Sequence, residues 1–381
     1  MSEKRVPTQK KIYRFARWQV AKWWLRLHPA VEVIGIAGSV GKTTTKEIVA
    51  AVLAQKFLTV KTEANFDPIF NLPLTALKIR RHKKFVAELG VDGVGQMDKY
   101  LDLVHPRIGV MTRLSLEHTE LFGTLEMAMA EEVKLLRALS SNGWAVLNGD
   151  DPEIIASKSA TKANCLTYGF SPGNDMLIKD FAQRVDGGRA QSSFRLRYGS
   201  EECVFKIYLL GKHNALCAAA AVAVGMVSGM KFEQIQKGLS EALPVSQRLN
   251  VKKGPSGRLI IDDTYNASPA AVEAAADVLV DLEPSGATLV LGDMLELGKY
   301  AEESHHRVGF YAAQKGVSHL VAYGDYAKTV ITGFKAGGGQ SWFAAPDKQS
   351  IPDWLNHNTR GAVLVKGSRG MKMEEVVEQL G

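Results

Sequence analysis

The stretch Val33-Ile34-Gly35-Ile36-Ala37-Gly38-Ser39-Val40-Gly41-Lys42-Thr43-Thr44-Thr45-Lys46-Glu47 constrains the fold more than any other part of the chain. A β-branched run ends in a glycine turn, and a helix-forming run, residues 47–53, follows the threonines. Strand, loop and helix in that order make a phosphate-binding loop. Glycines let backbone N–H groups close around phosphate oxygens, Lys42 adds a point charge, and the Thr43 hydroxyl can hold Mg²⁺. The helix N-terminus adds partial positive charge at the same place. The spacing is Gly38-x-x-Gly41-Lys42-Thr43, with Ile36 at the first glycine position of the general pattern. Gly38, Ser39, Val40, Gly41 and Thr44 complete the expected cradle, which points to a nucleoside triphosphate.

Around this loop, strands and helices alternate. Strands are expected at 57–60, 85–90, 108–112 and 144–147, with a helix over 125–139 before the last. Such alternation implies a mostly parallel, doubly wound sheet. Residues 163–209 carry short alternating runs and read as antiparallel hairpins. Gly211-Lys212-His213-Asn214 then opens an alanine-rich helix reaching Val224. A second α/β pattern begins near Pro244, with strands at 259–262, 288–291, 319–323 and 362–365 and helices at 269–282 and 302–315. Polar or glycine-bearing tips end these strands, and ligands gather at such carboxyl ends. Gly337-Gly338-Gly339 reads as a flexible loop, and His305 and His306 as helix-surface residues. The expected class is therefore α/β: a central phosphate-loop domain over 31–243 and a Rossmann-like domain over 244–381, preceded by a basic helix in residues 1–30.

The charge of that first segment limits what the net charge of +7 means. Residues 1–30 hold eight cations against Glu3 alone, so they carry the whole excess, and the remaining 351 residues balance at 39 of each sign. The body of the chain therefore gives no electrostatic reason to bind nucleic acid. On a helical projection of residues 10–27, Ile12, Tyr13, Ala16, Val20, Trp23, Trp24 and Leu27 fall within a sector of about 120°. Two uses remain open: docking of this stripe on the next domain, or contact with an anionic membrane, where Phe15, Trp18 and Leu25 among the cations would enter the interface. No apolar run approaches the roughly 20 residues needed to span a bilayer. Three scattered cysteines suit a reducing cytosol and give no zinc or disulfide pattern.

Further motifs follow in order: Asn71-Leu72-Pro73-Leu74-Thr75, Glu88-Leu89-Gly90, Glu117-His118-Thr119-Glu120-Leu121-Phe122-Gly123 and Asp262-Asp263-Thr264-Tyr265-Asn266-Ala267-Ser268-Pro269. Gly292-Asp293-Met294-Leu295-Glu296-Leu297-Gly298 and Val365-Lys366-Gly367-Ser368-Arg369 complete the series. From residue 33 to the C-terminus the chain resembles the Mur ligase superfamily, and within it the branch that adds D-alanyl-D-alanine. The resemblance implies an ATP-dependent ligase that phosphorylates a carboxylate and joins it to an amine, with a cell-wall peptide precursor and a dipeptide as substrates. It implies Lys42 at the terminal phosphates, Thr43 and Glu88 on one Mg²⁺, and His118 on a second. Asn214, Arg248 and Asp263 would reach the nucleotide from the far side, and domain closure would complete the site. Glu132 falls where the family carries a carbamylated lysine, so it is expected to supply charge at the second Mg²⁺; an ordinary solvated glutamate is the alternative. Lys366 and Arg369 are left between anion binding and a helix approach, and His213-Asn214 between nucleotide contact and capping.

Two places depart from the family pattern: Asp67-Pro68 stands for a usual Asn-Asn, and Arg113 for a strand-end Asn. The family's UDP-gripping domain would need far more chain than the roughly 30 residues ahead of the loop strand, so weak recognition of a UDP moiety is expected. A ligase for a folate- or polymer-type carboxylate, and a nucleotide-binding subunit without independent activity, stay open. The expected state is a cytoplasmic monomer, with attachment to the inner membrane face as the variant.

Overall fold

The computed structural model describes the chain except for residues 1–7, 64–66, 115–121, 123 and 255–256. Its frame is two sheets, and nearly everything functional lies where their strand ends face each other. The first has the order β2-β3-β1-β4-β5-β6-β7-β8-β9. Here β1 is Glu32–Ala37, β2 Thr59–Lys61, β3 Lys84–Glu88, β4 Ile108–Met111, β5 Trp144–Asn148 and β6 Asn164–Gly169. These six run parallel, and β7 (Met176–Asp186) joins β6 in parallel before turning antiparallel into β8 (Arg189–Tyr198) and β9 (Glu201–Ile207). The hairpin expectation for 163–209 thus holds for β7–β9 and fails for Asn164–Gly169. That segment extends the parallel sheet because Leu166 and Tyr168 face a core already built by Ile34, Val110 and Val146.

Helix α1 is Thr8–Arg26, α2 Lys42–Ala54, α3 Pro68–Ala76, α4 Gln96–Val104 and α5 Leu125–Ala138. The alanine-rich helix, α6 (Lys212–Val227), packs on α2 and on β5, β6 and β7, so it is walled in by sheet and helix together. Small side chains make that approach possible: Ala218, Ala219, Ala220, Ala221 and Ala223 are all wholly buried.

The second sheet has the order β10-β11-β15-β12-β13-β14. Its strands β11 (Leu259–Asp263), β12 (Thr288–Gly292), β13 (His319–Tyr323), β14 (Ser341–Ala345) and β15 (Val363–Lys366) are parallel, and β10 (Asn250–Lys253) is an antiparallel edge. Two expectations for this half change. Gly337–Gly339 closes the helix Ala327–Ala336: the Gly337, Gly338 and Gly339 amides bond to Gly333, Lys335 and Phe334 carbonyls at 2.9–3.0 Å. A Cβ on Gly339 would lie 2.2 Å from the Phe334 ring, so glycine is needed for the close approach. His305 is fully buried, stacked on Tyr326, with its Nε2 accepting from the Met294 amide at 2.9 Å.

Helix α1 docks, but on a face that shares Trp24 with the expected stripe and otherwise lies to one side of it. Ala21 is buried and Trp18, Trp24 and Leu25 pack on the core of the first sheet, while Tyr13, Val20, Trp23 and Leu27 stay exposed. Local partners decide this. Trp24 Nε1 donates to Ile79 O at 3.0 Å, Arg14 stacks on Phe70 at 4.2 Å, and Lys22 pairs with Asp102 at 2.5 Å. Among the described residues no helix is long and apolar enough to cross a membrane, and all three cysteines are free.

Candidate active site

The loop between β1 and α2 stands at the carboxyl end of the first sheet. Gly38 and Gly41 have φ of +123° and +90°, the left-handed region that glycine enters without strain. A Cβ on Gly38 would also meet Thr112 Oγ1 at 2.4 Å. The loop is pinned from two sides. Ser39 N–H donates to Arg113 O at 2.6 Å, and Gly38 N–H donates to Glu132 Oε2 at 2.9 Å. Lys42 Nζ lies across the loop mouth, donating to Gly38 O at 2.5 Å and Ser39 O at 2.7 Å.

Next to the loop, Thr43 Oγ1 donates to Glu88 Oε1 at 2.7 Å, and the fully buried Lys46 places Nζ 3.3 Å from Glu88 Oε2 and 3.2 Å from Glu47. A hydroxyl and a carboxylate side by side are the hard oxygen donors Mg²⁺ takes, and phosphate and water oxygens ordinarily fill its remaining positions. The donor set fits the ion. Among the described residues no three His, Cys, Asp or Glu side chains form a complete metal cage.

Facing the loop is the carboxyl end of β11. Asp263 is buried and accepts from Lys366 Nζ at 2.6 Å, a pair brought together by the parallel contact of β11 with β15. Burial pushes the Asp263 carboxyl up while the Lys366 ammonium opposes it. Arg248 lies over the Tyr265 ring at 4.3 Å, and its Nε is buried without a hydrogen-bond partner among the described residues. The residues on either side of Arg248, Gln247 and Leu249, both have left-handed backbones with φ of +61° and +50°. Such conformations cost these residue types of order 1 kcal/mol each and fix where the guanidinium points.

Together these groups wall a cleft of about 410 Å³ between the sheets. Of the residues expected from the sequence, Ser39, Val40, Gly41, Lys42, Thr43, Thr44, Glu88, Asn214, Arg248 and Asp263 line it. Gly38, in the same loop, does not line it. Glu132 is 5% exposed, which removes the solvated-helix alternative, but its oxygen meets the back of the loop at Gly38. His118 falls outside the described residues. Asn214 does not cap α6: Gly211 is the cap, and the Asn214 side-chain Nδ2 donates to Leu210 O at 2.6 Å. The Asp67-Pro68 departure has a local cause, since Asp67 caps α3 by accepting from the Ile69 amide at 2.9 Å and proline occupies the first turn.

Sequence reasoning missed the Lys46 ammonium beside Glu88 and gave Tyr265 no role, though Tyr265 lines the cleft; His213, left between nucleotide contact and capping, lines it too. Lys46-Glu47 directly after three threonines was the available signal for Lys46. His213 is held neutral: burial, then the cations Lys366, Arg113 and Arg248, lower its pKa to about 4.

Residues 36–225 match the Mur ligase middle domain, and residues 247–369 match the Mur ligase glutamate ligase domain. The UDP-N-acetylmuramoyl-tripeptide–D-alanyl-D-alanine ligase of Bacillus subtilis (strain 168) is 33% identical over 372 residues, covering 95% of this chain and 78% of that protein. The enzyme of the same name from Escherichia coli (strain K12) is 30% identical over 363 residues, covering 94% and 78%. Among solved structures, MurF from Acinetobacter baumannii superposes with a TM-score of 0.87 at 28% identity, covering 96% of this chain and 80% of that one. MurF ligase from Thermotoga maritima in complex with ADP gives 0.85 at 25% identity, covering 96% and 83%.

Proposed function

The chain belongs to the Mur ligase family, and on that premise we propose that it is an ATP-dependent carboxylate–amine ligase that adds D-alanyl-D-alanine, or a similar amine, to a cell-wall peptide precursor. The observation that carries this reading is the two-sided cleft: a phosphate loop on one sheet faces Arg248, Asp263 and Lys366 on the other. An acceptor carboxylate oxygen forms a bond to the γ-phosphorus of ATP as the bond to ADP breaks. The amine then attacks the acyl carbon, inorganic phosphate leaves, and the amine nitrogen gives up a proton.

Positioning and charge neutralisation dominate such a reaction. Backbone N–H groups of the loop and the α2 N-terminus hold the phosphates, and Lys42 exchanges its contacts with Gly38 and Ser39 carbonyls for phosphate oxygens. Arg248 has an unsatisfied buried Nε on the cleft wall, suited to an anion arriving from the first sheet. Lys366 orients Asp263 and opposes the upward push that burial gives its carboxyl. Mg²⁺ held by Thr43 and Glu88 would supply further positive charge to the phosphates.

The proposal also includes a second Mg²⁺ near His118 and Glu132, supported by the buried Glu132 carboxylate behind the loop, and a monomer built of gripping units 31–243 and 244–381. The test is phosphate release from ATP with UDP-N-acetylmuramoyl tripeptide and D-alanyl-D-alanine. Release should require both substrates and yield a product whose mass is their sum less one water. ATP hydrolysis without that product would overturn the ligase assignment.

A further inference from the structure

Helix α1 leaves uncovered the face that its pattern should bury. Tyr13, Val20, Trp23 and Leu27 line one stripe at helical spacing and are 67%, 51%, 57% and 53% exposed. The fold sets beside this stripe a group of cations that the sequence places more than fifty residues away. The Trp24 ring, 6.4 Å from that of Trp23, lies under the Arg80 guanidinium at 5.0 Å, while its Nε1 holds Ile79. This anchors the turn 78–83 against the helix, with Arg80, Arg81 and Lys83 exposed. The Lys83 amide continues the surface by donating to the carbonyl of Leu58, which is 56% exposed. Arg26 adds another exposed cation from the helix itself.

We infer that this surface docks the protein on an anionic lipid bilayer, the stripe entering the headgroup–acyl boundary while Arg26, Arg80, Arg81 and Lys83 pair with lipid phosphates. The apolar stripe alone does not choose its occupant; the cations do. A second copy of this chain would bring the same positive groups against themselves, whereas an anionic bilayer complements them. Helices of this composition lie in the interface plane, apolar side down by about 5–10 Å. Each cation near such a surface adds roughly fivefold in partitioning, diminished by salt. Docking is independent of the ligase reading, because none of these side chains lines the cleft.

The experiment is co-sedimentation of the full chain with phosphatidylglycerol–phosphatidylcholine vesicles and with phosphatidylcholine alone, at low and high salt. Binding should favour the anionic vesicles by about tenfold or more, weaken in salt, and shift Trp fluorescence to the blue as Trp23 leaves water. Val20→Ser with Trp23→Ser and Leu27→Ser should abolish binding. Arg80→Glu with Arg81→Glu should cut anionic binding by at least roughly thirtyfold, since two attractions are lost and two repulsions added, while ATP turnover in solution persists. Arg81→Glu with Lys83→Glu repeats the charge test without disturbing the Arg80–Trp24 stack. Equal binding to both vesicle types, no binding at low salt, or a dimer dissolved by the apolar substitutions would each overturn the inference.

Discussion

Thr43 Oγ1 donates to Glu88 Oε1 across 2.7 Å, which ties the first turn of α2 to the last residue of β3. The other Glu88 oxygen faces the buried Lys46 ammonium at 3.3 Å. One carboxylate therefore serves the mouth of the phosphate loop and a buried cation at once.

Glu88→Gln removes the anion from both. Among the described residues Lys46 would keep Glu47 as its ion-pair partner, and an under-compensated buried charge costs about 1–3 kcal/mol. Urea denaturation should show that loss, and turnover should fall by a hundredfold or more. An unchanged midpoint would mean that Glu47 alone satisfies Lys46.

Lys42→Ala separates charge from fold. Among the described residues Lys42 Nζ bonds to two carbonyls of its own loop and to no other group, so the unfolding temperature should move by less than about 4 °C. Calorimetry should show MgATP affinity or turnover lost. Undiminished amide formation would remove the loop from the mechanism.

Glu132→Gln keeps an acceptor for the Gly38 amide but deletes the charge. Under the proposed second-Mg²⁺ role activity should drop sharply, stability should change by less than about 1 kcal/mol, and added bicarbonate should not stimulate the wild-type enzyme. A nearly normal Gln variant, with Glu132→Ala impaired, would limit Glu132 to holding the loop backbone.

His213 makes stability depend on pH. Its folded pKa of about 4 lies below the unfolded value of about 6.5. A lowered histidine pKa favours the neutral ring in the fold, so its contribution is complete above about pH 6.5 and is lost progressively as pH falls toward 4. Comparing wild type with His213→Asn should show a difference on the order of 2 kcal/mol across that window. Parallel stability curves would show that the cations around the ring do not resist its protonation.

The phosphate-loop strand and helix were legible because glycine spacing, β-branching and helix-forming residues all agree over 33–53. The same holds for Pro269–Leu282 and His319–Tyr323, whose bounds match the expected ones. The helical projection of α1 failed differently: it finds an apolar stripe but cannot say which side meets Phe70, Ile79 and Asp102. Ser341–Ala345 was not expected: its apolar run, Trp342-Phe343-Ala344-Ala345, is short, and on the sheet edge its burial alternates. The Lys366–Asp263 pair lies 103 residues apart and exists only through the register of β11 with β15. Most lining residues were named from motifs, but their convergence on one cleft required the second sheet to face the first.

Helix α6 has eleven of its sixteen residues buried, without interruption from Cys217 to Gly225. An ordinary surface helix offers a polar side where substitutions are absorbed; this stretch has none. A saturation-mutagenesis map of the protein should therefore show a solid block of intolerance there, lacking the three-to-four-residue rhythm that usually betrays a helix. Read by tolerance alone, that block would look as catalytic as the phosphate loop, although its constraint is volume.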